Sequence, residues 1–200
     1  MNLLLSTAYN LYWLGRYMRR TQELLQTALK TKPQKRAEML AVIGYSLENL
    51  DDKSVFNFLV EEAFPEHFER IHANVQAVRA VIDADASDLF NHVRRLYQSG
   101  SPRAAVFQLA ACDAVMLEQH ILVTQFWQLG DYVEMLDQRI RQNKVESRDY
   151  RYLAQVVTNL PDGTGWDKIK QQIQALVFTT KDSEFYEWLK RLDQLFEDGV

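Results

Sequence analysis

Thr7-Ala8-Tyr9-Asn10-Leu11-Tyr12-Trp13-Leu14-Gly15-Arg16-Tyr17-Met18-Arg19-Arg20 is the stretch on which the fold turns. Leu4, Ala8, Leu11, Gly15, Met18, Gln22, Leu25 and Leu29 advance by alternating steps of four and three. That spacing lays one stripe along a helix and predicts a buried seam. Tyr9, Trp13, Tyr17 and Arg20 form a second row beside it, and Tyr12, Arg16 and Arg19 or Arg20 a third. A mid-helix glycine costs about 1 kcal/mol against alanine, so Gly15 predicts close approach by another backbone or ring. Arg16, Arg19 and Arg20 border the seam, where an unpaired charge is costly. Three together predict acids arriving from another helix.

The phrase Asn10-Leu11-Tyr12-Trp13-Leu14-Gly15-Arg16-Tyr17, followed by Arg20, resembles the signature of the bacterial Alpha-E family, a helical family without an assigned function. Its members typically continue the phrase as Glu-Arg-Ala-Glu and repeat a Leu-Gly-Arg-Tyr phrase later. A worn second copy stands at Phe126-Trp127-Gln128-Leu129-Gly130-Asp131-Tyr132-Val133-Glu134-Met135-Leu136-Asp137. Aligning Gly15 with Gly130 pairs Leu14 with Leu129 and Tyr17 with Tyr132. Arg19 and Gln22 stand where the family has glutamates; Asp131 and Met135 stand where it has arginines. The likeness covers residues 1 to about 140, and the family's members are longer. The resemblance implies protein partners, an ATP-grasp peptide-ligase-like protein and a transglutaminase-like protease, and a part in peptide or amide-bond metabolism.

The two copies divide a mixed-charge motif. Arg16, Arg19 and Gln22 of the first correspond to Asp131, Glu134 and Asp137 of the second. If the copies pack near Gly15 and Gly130, at least one of Arg16, Arg19 and Arg20 should bond directly to Asp131, Glu134 or Asp137. Arginine's planar fork suits such a pairing. Tyr12, Trp13, Arg16, Arg19, Arg20, Asp131, Glu134 and Asp137 are therefore the motif or partner-binding candidates.

The remaining chain reads as helices. The first runs to Thr31, where Lys32-Pro33 stops it, and a second covers Gln34 to Asn49 with Ala37, Leu40, Ala41 and Leu47 inward. Ser54 is the expected cap of a short helix, Pro65 opens a long one, and Ser87 caps the next. No proline interrupts 103–143, and one helix from Pro102 to Asn143 would measure roughly 63 Å. A chain of this size has a radius of gyration near ~16 Å, so a break is expected between Asp113 and His120. Later helices are predicted from Ser147 to Leu160, from a Thr164/Asp167 capping box to Thr179, and from Ser183 to Glu197. The fold class is all-α, an antiparallel helical bundle of about seven or eight helices with a weak internal repeat. A single domain spans 1–200, with repeat halves of about 1–100 and 101–145 and shortened C-terminal helices in 146–200.

Composition bounds the chemistry. A net charge of −4 argues against general nucleic-acid binding. No apolar run reaches the ~18 residues of a membrane span, and the start lacks a signal-peptide pattern. Cys112 is the only cysteine, which with those features reads as a cytoplasmic protein. Glu69 and His72 have the i, i+3 spacing of di-metal bundles, yet no second such pair exists, so neither metal nor cofactor is expected. The reading favours a non-catalytic interaction module; the alternative is an enzyme of the same pathway using the carboxylates of the motif helices.

Overall fold

The computed structural model describes residues 3–30, 32, 35–36, 40, 44–45, 51–163 and 165–197, and among them there is no strand. Eight long helices carry the fold. Helix α1 is Leu5–Lys30 and α2 is a rod in three segments: Asp52–Phe58, a π-helical turn Leu59–Ala63, and Phe64–Val78. Then follow α3 (Ala84–Gln98), α4 (Pro102–Leu117), α5 (Ile121–Arg141), α6 (Ser147–Thr158), α7 (Trp166–Thr179) and α8 (Asp182–Glu197).

Helices α1 and α5 pack on each other more extensively than any other pair. The seam explains why: Ala8, Leu11, Met18 and Leu25 are buried against it. Leu4, expected to open the seam, is instead 72% exposed, because it precedes the first helical residue and escapes the stripe. The two helices run parallel. Ala8 and Phe126 line one end of the crossing, Tyr12 meets Gly130 in the middle, and Glu23 and Gln142 line the other end. Chain neighbours joined by short loops pack antiparallel, but these two are far apart in the chain and are free of that rule. Helix α2 lies on α1, α3 pairs with α4, and α6, α7 and α8 stack outward from α5 in turn, α8 folding back to touch α1.

Helix ends follow local chemistry, sometimes not at the expected residue. Asp51, not Ser54, caps α2: its carboxylate accepts from the Ser54 backbone N–H at 2.7 Å. The rod continues through Pro65 because the π turn before it widens the backbone, where an α-helical Pro65 ring would strike the Glu61 carbonyl. Helix α3 starts before Ser87, which is buried inside it, with extended Asp83 as its cap. Within the span of the expected second helix, Gly44 has a φ of +100° and the Tyr45 N–H bonds to Leu40 O, the pattern of a helix-ending turn. Leu40 is buried as expected; Ala37, Ala41, Leu47, Thr31 and the expected cap Thr164 lie outside the described residues. The break in 102–143 falls at Glu118–His120, where the His120 ring accepts from Leu122 N–H and caps α5. Asp149 completes a capping box with Glu146 at the start of α6.

Candidate functional site

Gly15 and Gly130 face each other's helices. A Cβ on Gly15 would fall inside contact distance of Trp127 O and 2.8 Å from Asp131 N. On Gly130 it would overlap Tyr12 O and stand 2.7 Å from its carbonyl carbon. The glycines let the two backbones touch, and that closeness sets the reach of every side chain around them.

One turn beyond the glycines, the arginines meet the acids. Glu134 is 2% exposed and its four lone-pair positions are all taken. Oε2 accepts from Arg16 Nε at 3.0 Å and Arg20 Nη2 at 2.8 Å; Oε1 accepts from Arg20 Nε at 2.7 Å and Gln138 Nε2 at 3.2 Å. Arg19 grips Asp131 through both prongs, at 2.8 and 2.7 Å. Burial alone would raise the Glu134 carboxyl, but the Arg16 and Arg20 guanidiniums outweigh it and hold the group at about 2. Arg16, itself 7% exposed, also donates from Nη1 to the buried Tyr12 hydroxyl at 3.1 Å. The Tyr12 hydroxyl donates to Asp193 of α8 at 3.4 Å. Burial, more than any neighbour, raises the Tyr12 phenol far above its ordinary range.

Asp137 does not join the α1 arginines. Arg141, one turn along the same helix, reaches it at 2.9 Å, and Tyr186 donates to it at 2.9 Å. Gln22, whose counterpart in the repeat is Asp137, donates to Asp113 of α4 at 2.9 Å. Asp137 thus faces α8. Gln138 and Arg141 were legible as i+4 neighbours of Glu134 and Asp137. Tyr186, Asp193 and Asp113 come from distant helices, and no local pattern points to them.

The second row of α1 is half-buried. Trp13 packs edge-on against Tyr9 and tilted against Tyr17, while the Arg16 guanidinium lies 4.9 Å over its ring. Arg20 stacks on Tyr17 at 5.6 Å. Beneath this row His67 of α2 is buried between Thr21 and Tyr45. The Thr21 hydroxyl already donates its one proton to Tyr17 O, so it accepts from His67 Nδ1–H. Nε2 is then the lone pair that takes the Tyr45 proton at 2.7 Å. Burial, with Arg20 close by, depresses His67 to about 4 and keeps it neutral.

Other candidates sit apart. Arg94 reaches both His72 (3.0 Å) and Glu69 (3.3 Å), so a cation already occupies that pair. Among the described residues no cluster of three or more His, Cys, Asp or Glu is close enough to hold a metal ion. Burial pushes the Cys112 thiol up to about 12. No helix among the described residues is long and apolar enough to cross a membrane. Comparison with protein-family profiles, curated proteins and solved structures finds no match for this chain.

Proposed function

We propose that this chain is a non-catalytic helical interaction module of the Alpha-E kind, working in the cytoplasm with ATP-grasp peptide-ligase-like and transglutaminase-like proteins. One observation carries the non-catalytic part. Every motif carboxylate is engaged by a cation: Glu134 by Arg16 and Arg20, Asp131 by Arg19, Asp137 by Arg141. A general base needs a free lone pair and a pKa near the working pH; Glu134, held at about 2 with four donors on it, has neither. The network is suited to fixing two helices in register, which is what a rigid docking scaffold requires. The partner assignment rests on the Asn10–Arg20 motif alone.

Affinity capture of the native protein tests it. An ATP-grasp ligase should co-purify in stoichiometric amount, and the isolated chain should turn over neither ATP nor peptide. Turnover by the isolated chain, abolished by Asp137→Asn with the helical circular-dichroism spectrum retained, would transfer the protein to the enzyme class.

A further inference from the structure

The aromatic row of α1 is not used up by the ion-pair layer. Between it and α2 lies a slot of about 340 Å³, walled on one side by Tyr9, Trp13 and Tyr17 and on the other by Arg70 and Asn74, with Asn10 at its edge. The volume falls in the range of small-ligand clefts, ~300–1,000 Å³. Its groups are unevenly satisfied. The Arg70 side chain is 59% exposed, and its ion pair with Glu66 is loose at 3.7 Å. Asn10 and Asn74 each give an amide proton to the carbonyl four residues back, to Ser6 O and Arg70 O, and their side-chain oxygens accept no bond among the described residues. The Trp13 indole N–H is shut off from solvent without an acceptor among the described residues. Native proteins seldom leave such a donor empty.

These features select one kind of ligand. A flat apolar body matches the aromatic wall, and a single negative charge matches Arg70. A dianion would meet the Glu66 carboxylate one turn before Arg70, with one cation to answer two charges. An amide or amine N–H beside the charge matches the two asparagine oxygens. We propose that this slot binds the carboxylate end of an apolar amino acid or of a peptide that ends in one. Arg70 takes the carboxylate, the Tyr9–Trp13–Tyr17 row takes the side chain, and Asn10 and Asn74 take the adjoining N–H. A small turn of the half-exposed Trp13 ring then brings its indole N–H to a ligand oxygen. The proposal stands on the slot alone and needs no ligase partner, so it and the module reading fail separately.

NMR of the full chain tests it. Four tryptophans give four indole resonances, and the one missing from Trp13→Phe is assigned to Trp13. N-acetyl-L-phenylalanine should shift that resonance saturably, with a dissociation constant on the order of 1 mM, as befits a ligand of this size. N-acetyl-L-phenylalaninamide, which lacks the charge, should bind about 10- to 100-fold more weakly, and Arg70→Gln should weaken the acid equally. Arg70 is exposed, so unchanged remaining indole resonances report an intact fold. Free phenylalanine binding as well as or better than the acetylated acid identifies free amino acids as the natural source; preference for the acetylated acid identifies peptide ends. An unmoved Trp13 resonance, equal binding of acid and amide, or indifference to Arg70→Gln each overturns the proposal.

Discussion

At Glu134 the balance between desolvation and pairing is decided by two arginines. Removing the charge while keeping the shape, Glu134→Gln, leaves Arg16 in the protein interior without an anion, and Arg20, 26% exposed, beside it. Breaking a buried pair in this way costs about 3–5 kcal/mol. Asp131→Asn makes the same change one turn away, but there Arg19 keeps 29% of its side chain in water and Asp131 13%. Its loss should cost about 1 kcal/mol or less. Urea denaturation of the two variants measures the contrast, and equal losses would mean that burial does not govern this layer. The charge split between the motif copies was legible because arginines beside an apolar stripe must find acids. Which acid each one finds was not. Asp137 went to Arg141 of its own helix and to Tyr186 of α8, and a single helix's periodicity does not say which neighbour packs on each of its faces.

At the scale of elements, Gly15 and Gly130 decide how α1 and α5 cross. In an isolated helix either glycine replaced by alanine would gain about 1 kcal/mol from propensity alone. Here the added methyl meets backbone, Trp127 O and Asp131 N from one side and Tyr12 C and O from the other, and backbone cannot rotate out of the way as a side chain can. Gly15→Ala and Gly130→Ala should each destabilise by about 1–3 kcal/mol or more, the cost of forcing extra volume into a packed contact. A variant as stable as the parent in thermal or urea melts would show that the helices do not touch there. Helix existence was readable from the 3.6-residue period, and the break before Ile121 from the length of an impossible rod. Ends were less readable. Asp51 and Ser54 are both good cap residues, and only the backbone geometry chooses; Pro65 stops most helices, yet a π turn lets α2 run through it.

For the whole molecule, two buried groups, His67 and Glu134, and the half-buried Asp113 set opposing slopes of stability against pH. His67 is depressed from 6.5 to about 4 by burial, with Arg20 adding to it. Between those values the unfolded chain holds a proton that the folded chain does not, so acidification favours unfolding. Asp113 is raised from 3.8 to about 6 by burial, with the neighbouring Asp131 adding to it against the Gln22 hydrogen bond. Between 3.8 and 6 the folded chain holds a proton that the unfolded chain has released, so acidification favours folding. The two windows overlap from about pH 6 to 4 and their effects oppose each other there. Below 4.5 Glu134 enters: the unfolded chain protonates first, and the stability held by its two arginines is lost as pH falls toward about 2. Removing one opponent exposes the other. Relative to the parent, Asp113→Asn should lose stability on going from pH 6 to 4, because His67 is then unopposed. His67→Gln should gain stability over the same interval, because Asp113 is unopposed. Urea midpoints at half-unit steps of pH give both difference curves. Parallel curves for parent and Asp113→Asn would mean that Asp113 releases its proton in the folded protein as readily as in the unfolded chain, and its burial would then carry no net penalty.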